Sequence, residues 1–226
     1  MMAHRPVSLK NTTKSMSRIQ EKNRTRILEA ALVEFSRFGY SGTTIEKISS
    51  VTGMSKSNLL YYFSSKAAIY EAVLANILDI WLAPLKGLNP EKDPAKELAA
   101  YIHHKMKMSA EMPDASRLFA NEILQGAPRI RKVLEEDLKA LIAEKSNVIQ
   151  QWINQEKIEP IDPVQLIFTI WAMTQHYADF DTQIRLVTGL GLENPGFRIS
   201  AEETVVRLVL RGIGLQSPDI VLETKP

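Results

Sequence analysis

From about Lys22 the chain places apolar residues at intervals of three and four. Ile27, Leu28, Ala31, Leu32, Phe35 and Phe38 fall on one stripe, the pattern of an amphipathic helix. Gly39 follows as a left-handed cap. Thr43 to Glu46 reads as a capping box, Thr43 at the cap and Glu46 reaching back. The second helix it opens carries Ile45, Ile48 and Val51 and stops at Thr52-Gly53. Ser55 caps a third helix with Leu59 and Phe63 inward, and Ser65 caps a long fourth one with Ile69, Val73, Ile77, Ile80 and Trp81. Beyond it, Asp93-Pro94, Pro113 and Asp162-Pro163 are further start signals. A long amphipathic segment runs from Val133 to Ile153, residues 187–199 read as a loop, and Ser200 to Glu203 as the capping box of a last helix. No stretch alternates as a strand does, so the expected fold is all-α with about nine helices.

Composition sharpens this outline at two points. Apolar residues make up 45% of the 226, enough for a sizeable core, and the absence of cysteine removes disulfides, thiolate metal sites and a thiol nucleophile. That suits a reducing cytoplasm, and no apolar run approaches the length of a membrane span. The net charge of +2 conceals an asymmetry: up to Lys66 eleven basic residues stand against four acidic ones, so the remainder is net acidic. A basic head on an acidic body implies either a polyanion partner or a charged leader with none.

Helix spacing gives the head a more definite form. Three short helices, the last two joined through a Gly-containing turn, make a helix-turn-helix. Its core is expected from Phe35, Ile45, Ile48, Val51, Leu59 and Phe63, with Lys56, Ser57, Asn58 and Tyr61 on the third helix presented to a DNA major groove. That groove is about 12 Å wide and admits one helix. The same pattern would suit a three-helix cap on a larger helical protein. The expected organisation is a flexible basic arm over 1–20, the helix-turn-helix over 21–66 and a helical ligand-binding and dimerisation domain over 67–226.

The stretch Ile27–Tyr70 resembles the TetR family of one-component regulators. Phe35–Gly39, Thr43–Ile48, Gly53–Lys56 and Tyr62–Lys66 match its motifs in order and spacing. The resemblance implies double-stranded operator DNA as partner and a homodimer taking two half-sites. It implies that Lys56, Ser57, Asn58 and Tyr61 read bases and that Thr44, Tyr62 and Lys66 grip phosphate. The family often has an aromatic residue directly after the first Leu of the recognition helix, where this chain has Leu60; that residue either contacts a thymine methyl or packs.

The body supports dimerisation on its own terms, because the helix from Pro163 is apolar almost all round and the last helix has a broad apolar side. Blocks at Asn58–Phe63, Ile77–Lys86, Asp137–Ser146, Pro160–Asp162 and Thr174–Phe180 are similar to the pyrimidine-utilisation regulators of the family, which implies uracil or thymine as effector. The residues suit such a ring. Trp81 and Trp171 offer aromatic faces, and Gln175, four residues after Trp171, shares its helix face and can donate and accept at once. Tyr177 adds a polar tip. Each also has a plainer role in a helical core, and the same fold could take a different small planar or apolar compound. No P-loop, dinucleotide fingerprint, nucleophile elbow or zinc-protease motif occurs, and His103 and His104 are adjacent and point apart on a helix. The expectation is therefore a regulator that is not an enzyme and has neither metal nor cofactor beyond its effector. An architectural DNA binder without a ligand fits the Trp-containing body poorly.

Overall fold

The computed structural model describes residues 18–216, in which all regular structure is helical. The arm expected over 1–20 lies almost wholly outside these residues; α1, Arg18–Gly42, begins within it. Helices α2, Ile45–Thr52, and α3, Lys56–Tyr62, pack on α1 to form the head. Ile27, Ala31, Phe35, Ile48 and Leu59 are almost fully excluded from solvent there, as the spacing predicts. Gly53 takes φ 62° between α2 and α3, and its N–H reaches the carbonyls of Ser49 and Ser50. A side chain at this left-handed position would be strained, which is why the turn carries glycine.

Three details of the head depart from the sequence pattern. The cap of α2 is Thr44, whose hydroxyl accepts from the Lys47 N–H. Thr43 is instead buried and donates to the carbonyls of Glu34 and Gly39. Gly39 does not end α1 but kinks it, at φ 66° and ψ 176°. Phe38, just before the kink, is 49% exposed and lies under the Lys47 ammonium rather than in the core. Val51, also expected inside, is 54% exposed because the short α2 buries only the side carrying Ile48 and Thr52.

Helix α4, Lys66–Lys86, joins the head to the body. Its Ile69, Tyr70, Val73, Leu74, Ile77 and Trp81 belong to the same packed cluster as the head core, whereas Leu85 belongs to the core of the body. By length and composition α4 could cross a membrane, but its apolar side faces this core. Helices α5, Pro94–Glu111, and α6, Pro113–Leu124, follow. A short helix α7, Arg131–Val133, then runs through a π-helical turn, Leu134–Leu138, into α8, Lys139–Asn154. Helices α9, Pro163–Asp179, α10, Asp181–Thr188, and α11, Pro195–Gly212, complete the chain. With α7 to α8 counted as one, ten helices are present among the described residues, one more than expected.

Asp93 and Asp162 cap α5 and α9 with proline next in sequence, as the start signals predict. The loop expected over 187–199 is shorter than predicted, because Asn194 caps α11 by accepting from the Phe197 N–H. The Ser200–Glu203 box therefore falls inside α11, and Glu202 is buried, 2.7 Å from His103 Nδ1. In the body α5, α9 and α11 pack against one another, and α6 is wedged between α1 and α9. Trp152 of α8 is fully buried and donates to the Pro90 carbonyl at 3.1 Å.

Phe35 meets the Tyr70 ring edge-on at 4.8 Å, so one contact ties the head core to α4. Phe35→Ala is expected to lower unfolding free energy by about 3–5 kcal/mol in chemical denaturation, the usual cost of emptying an aromatic core site.

Candidate DNA interface and effector site

Helix α3 shows the sequence-derived residues to solvent together. Ser55 caps it by accepting from the Asn58 N–H, so Lys56, Ser57 and Asn58 form its exposed first turn. Leu59 is buried beneath them, while Tyr61 is 71% exposed. Leu60 is 37% exposed, so it stands on the surface of the helix rather than inside the head. Both tyrosine hydroxyls are held by α1, Tyr61 by Gln20 at 3.2 Å and Tyr62 by Asn23 at 3.0 Å. Thr44 is exposed at the start of α2. The free N–H groups and dipole of a helix start favour phosphate at such a position.

Two cations at this surface are already engaged. Lys56 lies 2.6 Å from Glu46 of α2, and this bond holds the Glu46 carboxyl below its ordinary pKa. Lys66, expected to grip phosphate, is also engaged within the head. Its ammonium donates to the Tyr40 and Thr43 carbonyls at 2.9 Å each and sits 4.3 Å over the Tyr40 ring. Two of its three N–H groups thus close the end of α1, and at most one is left for DNA. The reason is the Gly39 kink, which aims these carbonyls at the start of α4.

A chain of contacts leads from this clamp into the body. The Arg129 guanidinium also lies over the Tyr40 ring, 3.6 Å from its centroid. The Arg129 N–H donates at 2.7 Å to Glu122, a buried carboxylate of α6 that also accepts from Tyr70 at 3.1 Å. Burial raises the Tyr70 pKa, and the neighbouring Glu122 charge raises it further, so Tyr70 stays a donor. Ala127, at φ 54°, turns the chain between Glu122 and Arg129. Such a conformation is uncommon for a residue other than glycine.

About three turns further along α4 stands Trp81, 4% exposed, meeting Phe119 of α6 at 5.5 Å. Its indole Nε1 is buried without a hydrogen-bond partner. The Lys105 ammonium of α5 lies 4.7 Å over its ring. Lys105 is 4% exposed, and no hydrogen bond or ion pair involves it among the described residues. Burial lowers its pKa to about 8, with nearby Asp179 opposing the shift. Asp179 accepts from Ser116 of α6, and its pKa is raised by burial.

Trp171, Gln175 and Asp179 succeed one another every four residues on α9, so Gln175 shares a helix face with both. The Trp171 indole donates to Tyr101 of α5. Tyr177 lies elsewhere, against Phe197 at 6.2 Å and beside an open groove of about 450 Å³ bordered by Ser109, Arg117 and Arg185. The structure thus groups Trp81 with residues absent from the sequence reading, Lys105, Phe119, Ser116 and Asp179, and sets Tyr177 apart. Lys105 had a signal: it interrupts the buried stripe Leu98, Tyr101, Ile102, Met106 of α5.

Two family models together match the chain from the head to the end of the described body. Residues 27–73 match the bacterial regulatory proteins of the tetR family, and residues 74–216 match the C-terminal region of YcdC-like proteins. This chain belongs to the TetR family. The TetR-family relative RutR of Escherichia coli, an HTH-type transcriptional regulator, is 50% identical over 202 residues, which cover 89% of this chain and 95% of that protein. The transcriptional repressor NicS of Pseudomonas putida is 30% identical over 62% of this chain and 66% of its own. Among solved structures, a TetR family transcription regulator from Marinobacter aquaeolei has a TM-score of 0.66 at 18% identity, covering 84% of this chain and 97% of that one. AibR in complex with isovaleryl coenzyme A and operator DNA has 0.63 at 17% identity, covering 87% and 99%. The protein is accordingly a DNA-binding transcriptional regulator with the TetR head and an all-helical body.

Two substitutions separate these roles. Lys66→Met is expected to destabilise the DNA-free protein by about 1–2 kcal/mol, as loss of charged hydrogen bonds does, and to reduce the salt slope of DNA binding by at most about one. Denaturation and salt-titrated binding measure the two. Glu46→Gln is expected to tighten binding to any duplex a few-fold by releasing Lys56 and removing a charge that repels phosphate; fluorescence anisotropy on unrelated duplexes reads it.

Proposed function

We propose that this protein is a cytoplasmic homodimeric repressor of pyrimidine metabolism, released from its operator by uracil or thymine. The observation that carries the effector reading is the Trp81 cluster. An aromatic wall of Trp81 and Phe119, an unmatched indole N–H and an unpaired buried ammonium together suit a flat ring edged with hydrogen-bonding groups. Kinship with RutR over most of both chains supports the same reading. Gln175 and Trp171 sit on the α9 face that also carries Asp179.

The dimer rests on surface that a lone chain leaves uncovered. Phe168 of α9 is 47% exposed, Phe180 just beyond it 53%, and Leu208 of α11 56%. Pairing α9 and α11 with their copies buries these residues in a four-helix bundle and sets the distance between two heads. The heads must meet successive major grooves about 34–36 Å apart.

Release follows from the position of α4 and α6. Both wall the Trp81 cluster, and both touch the clamp at the end of α1 through Tyr70, Glu122 and Arg129. A ligand that favours one setting of these helices shifts the population of head spacings by its difference in affinity between the two settings. Isothermal titration calorimetry with uracil and thymine tests the effector. Saturable binding is expected, with the operator complex dissociating over the same concentration range. DNA binding that is intact in the presence of millimolar uracil or thymine, with no heat of binding, would sink the pyrimidine reading.

A further inference from the structure

Helix α10, Asp181–Thr188, has no buried residue. It rests against the end of α9. An open groove of about 450 Å³ lies between it and α5 and α6, with Asp181 and Arg185 on one bank and Ser109 and Pro113 on the other. Its apolar side chains stand in solvent: Leu186 is 83% exposed, Val187 79%, and Leu190 just beyond the helix 40%. A helix this short is marginal in water and is ordinarily held by burying one face. Polar bonds hold α10 instead. Arg185 donates to Asp181 one turn back at 2.7 Å and to Glu193 beyond the helix. The Thr188 hydroxyl donates to the Ile184 carbonyl at 2.8 Å, and Gly189, at φ 73°, returns its N–H to the Arg185 carbonyl. The helix is thus braced with its apolar residues left uncovered.

The surroundings say what kind of surface would cover them. Of the eight large apolar side chains exposed on the described residues of the body, six lie between Phe168 and Leu208, so the uncovered surface is concentrated rather than scattered. It is also continuous. Phe168, Ala172, His176 and Phe180 succeed one another every four residues, all exposed, along α9. Phe180, stacked on His176 at 4.9 Å, is the residue from which α10 starts. The charged residues of α10, Asp181 and Arg185, are bonded to each other, and its Thr182, Gln183, Leu186 and Val187 are uncharged. Such a face offers nothing to a polyanion but can meet its own copy across a two-fold axis without repulsion. A stable interface buries roughly 800 Å² per partner. The half-exposed Phe168, Phe180 and Leu208 supply a small part of that, and Leu186 and Val187 extend the same surface.

We propose that α10 docks on a second copy of this chain, burying Leu186 and Val187 in the dimer together with the exposed sides of α9 and α11. This rests on the dimer reading and adds to it a helix that is not part of the four-helix bundle.

The chain has no cysteine, so Val187→Cys carries a single thiol, and Lys132→Cys, at an exposed residue of α7, supplies a reference rate. Sedimentation velocity over a dilution series gives the oligomeric state of the full-length protein. In the dimer, a maleimide is expected to modify the thiol of Val187→Cys at least about tenfold more slowly than that of Lys132→Cys, because cover slows a thiol. Leu186→Asp combined with Val187→Asp alters side chains that the single chain leaves exposed, so circular dichroism is expected to be unchanged. The same variant is expected to raise the dimer dissociation constant at least about a hundredfold, since its carboxylates would be taken out of water. A dimer whose two thiols react equally fast, or a double variant that dimerises like wild type, overturns the docking of α10 and leaves the pairing of α9 and α11 standing. A protein that is monomeric at every concentration overturns both. Slow modification of Val187→Cys in a monomer places the cover within the chain itself and likewise overturns the proposal.

Discussion

The rest of the molecule depends on α4 serving two cores at once. Phe35 of the head packs on Tyr70 in the first turns of α4, and Trp81, three turns on, walls the polar cluster of the body. A helix is stiff along its axis and its packed side chains do not slide freely, so a change around Trp81 is felt at Tyr70. Helix α6 repeats the connection on a second side. Phe119 meets Trp81, Ser116 holds Asp179, and Glu122 receives Tyr70 and Arg129. Head and body are therefore distinct along the sequence but share one continuous packing at their junction.

The DNA face shows the complementary logic, with exposed chemistry on a rigid support. Leu59 and Phe63 anchor α3, and Asn23 and Gln20 hold its two tyrosine hydroxyls, so the residues of its first turn are presented on a fixed frame. Lys66 contributes to that frame from within, by closing the kinked end of α1. The Tyr62–Lys66 motif marks the lysine's place without stating which of its three donors faces inward.

Periodicity alone made much of this visible. The buried faces of α1, α3 and α4, the Asp-Pro starts of α5 and α9, and the exposed first turn of α3 all follow from spacing and capping chemistry. What spacing missed is set by contacts between distant residues. Thr43 and Thr44 are equally good caps, and only the Gly39 kink, which buries Thr43 under Glu34, gives the position to Thr44. Phe38 and Val51 satisfy a helical stripe, yet no apolar cover buries them among the described residues. At the cluster proposed to hold the effector, Trp81 was legible as a residue type, whereas Lys105, Ser116 and Asp179 come together only when α5, α6 and α9 meet. A lysine on a buried stripe was a signal, but it could not name the acidic group facing it.

The unmatched donor of Trp81 carries a consequence for the lifetime of the regulator. An indole N–H held out of water with no partner stores free energy in the empty protein. Anything that satisfies it removes that strain, so the filled form resists unfolding more than the empty one. Under the proposed mechanism of release, the form that grips the operator is the more perishable of the two, and degradation removes repressor fastest when its effector is scarce. Continued silence at the operator would require continued synthesis of the protein that imposes it.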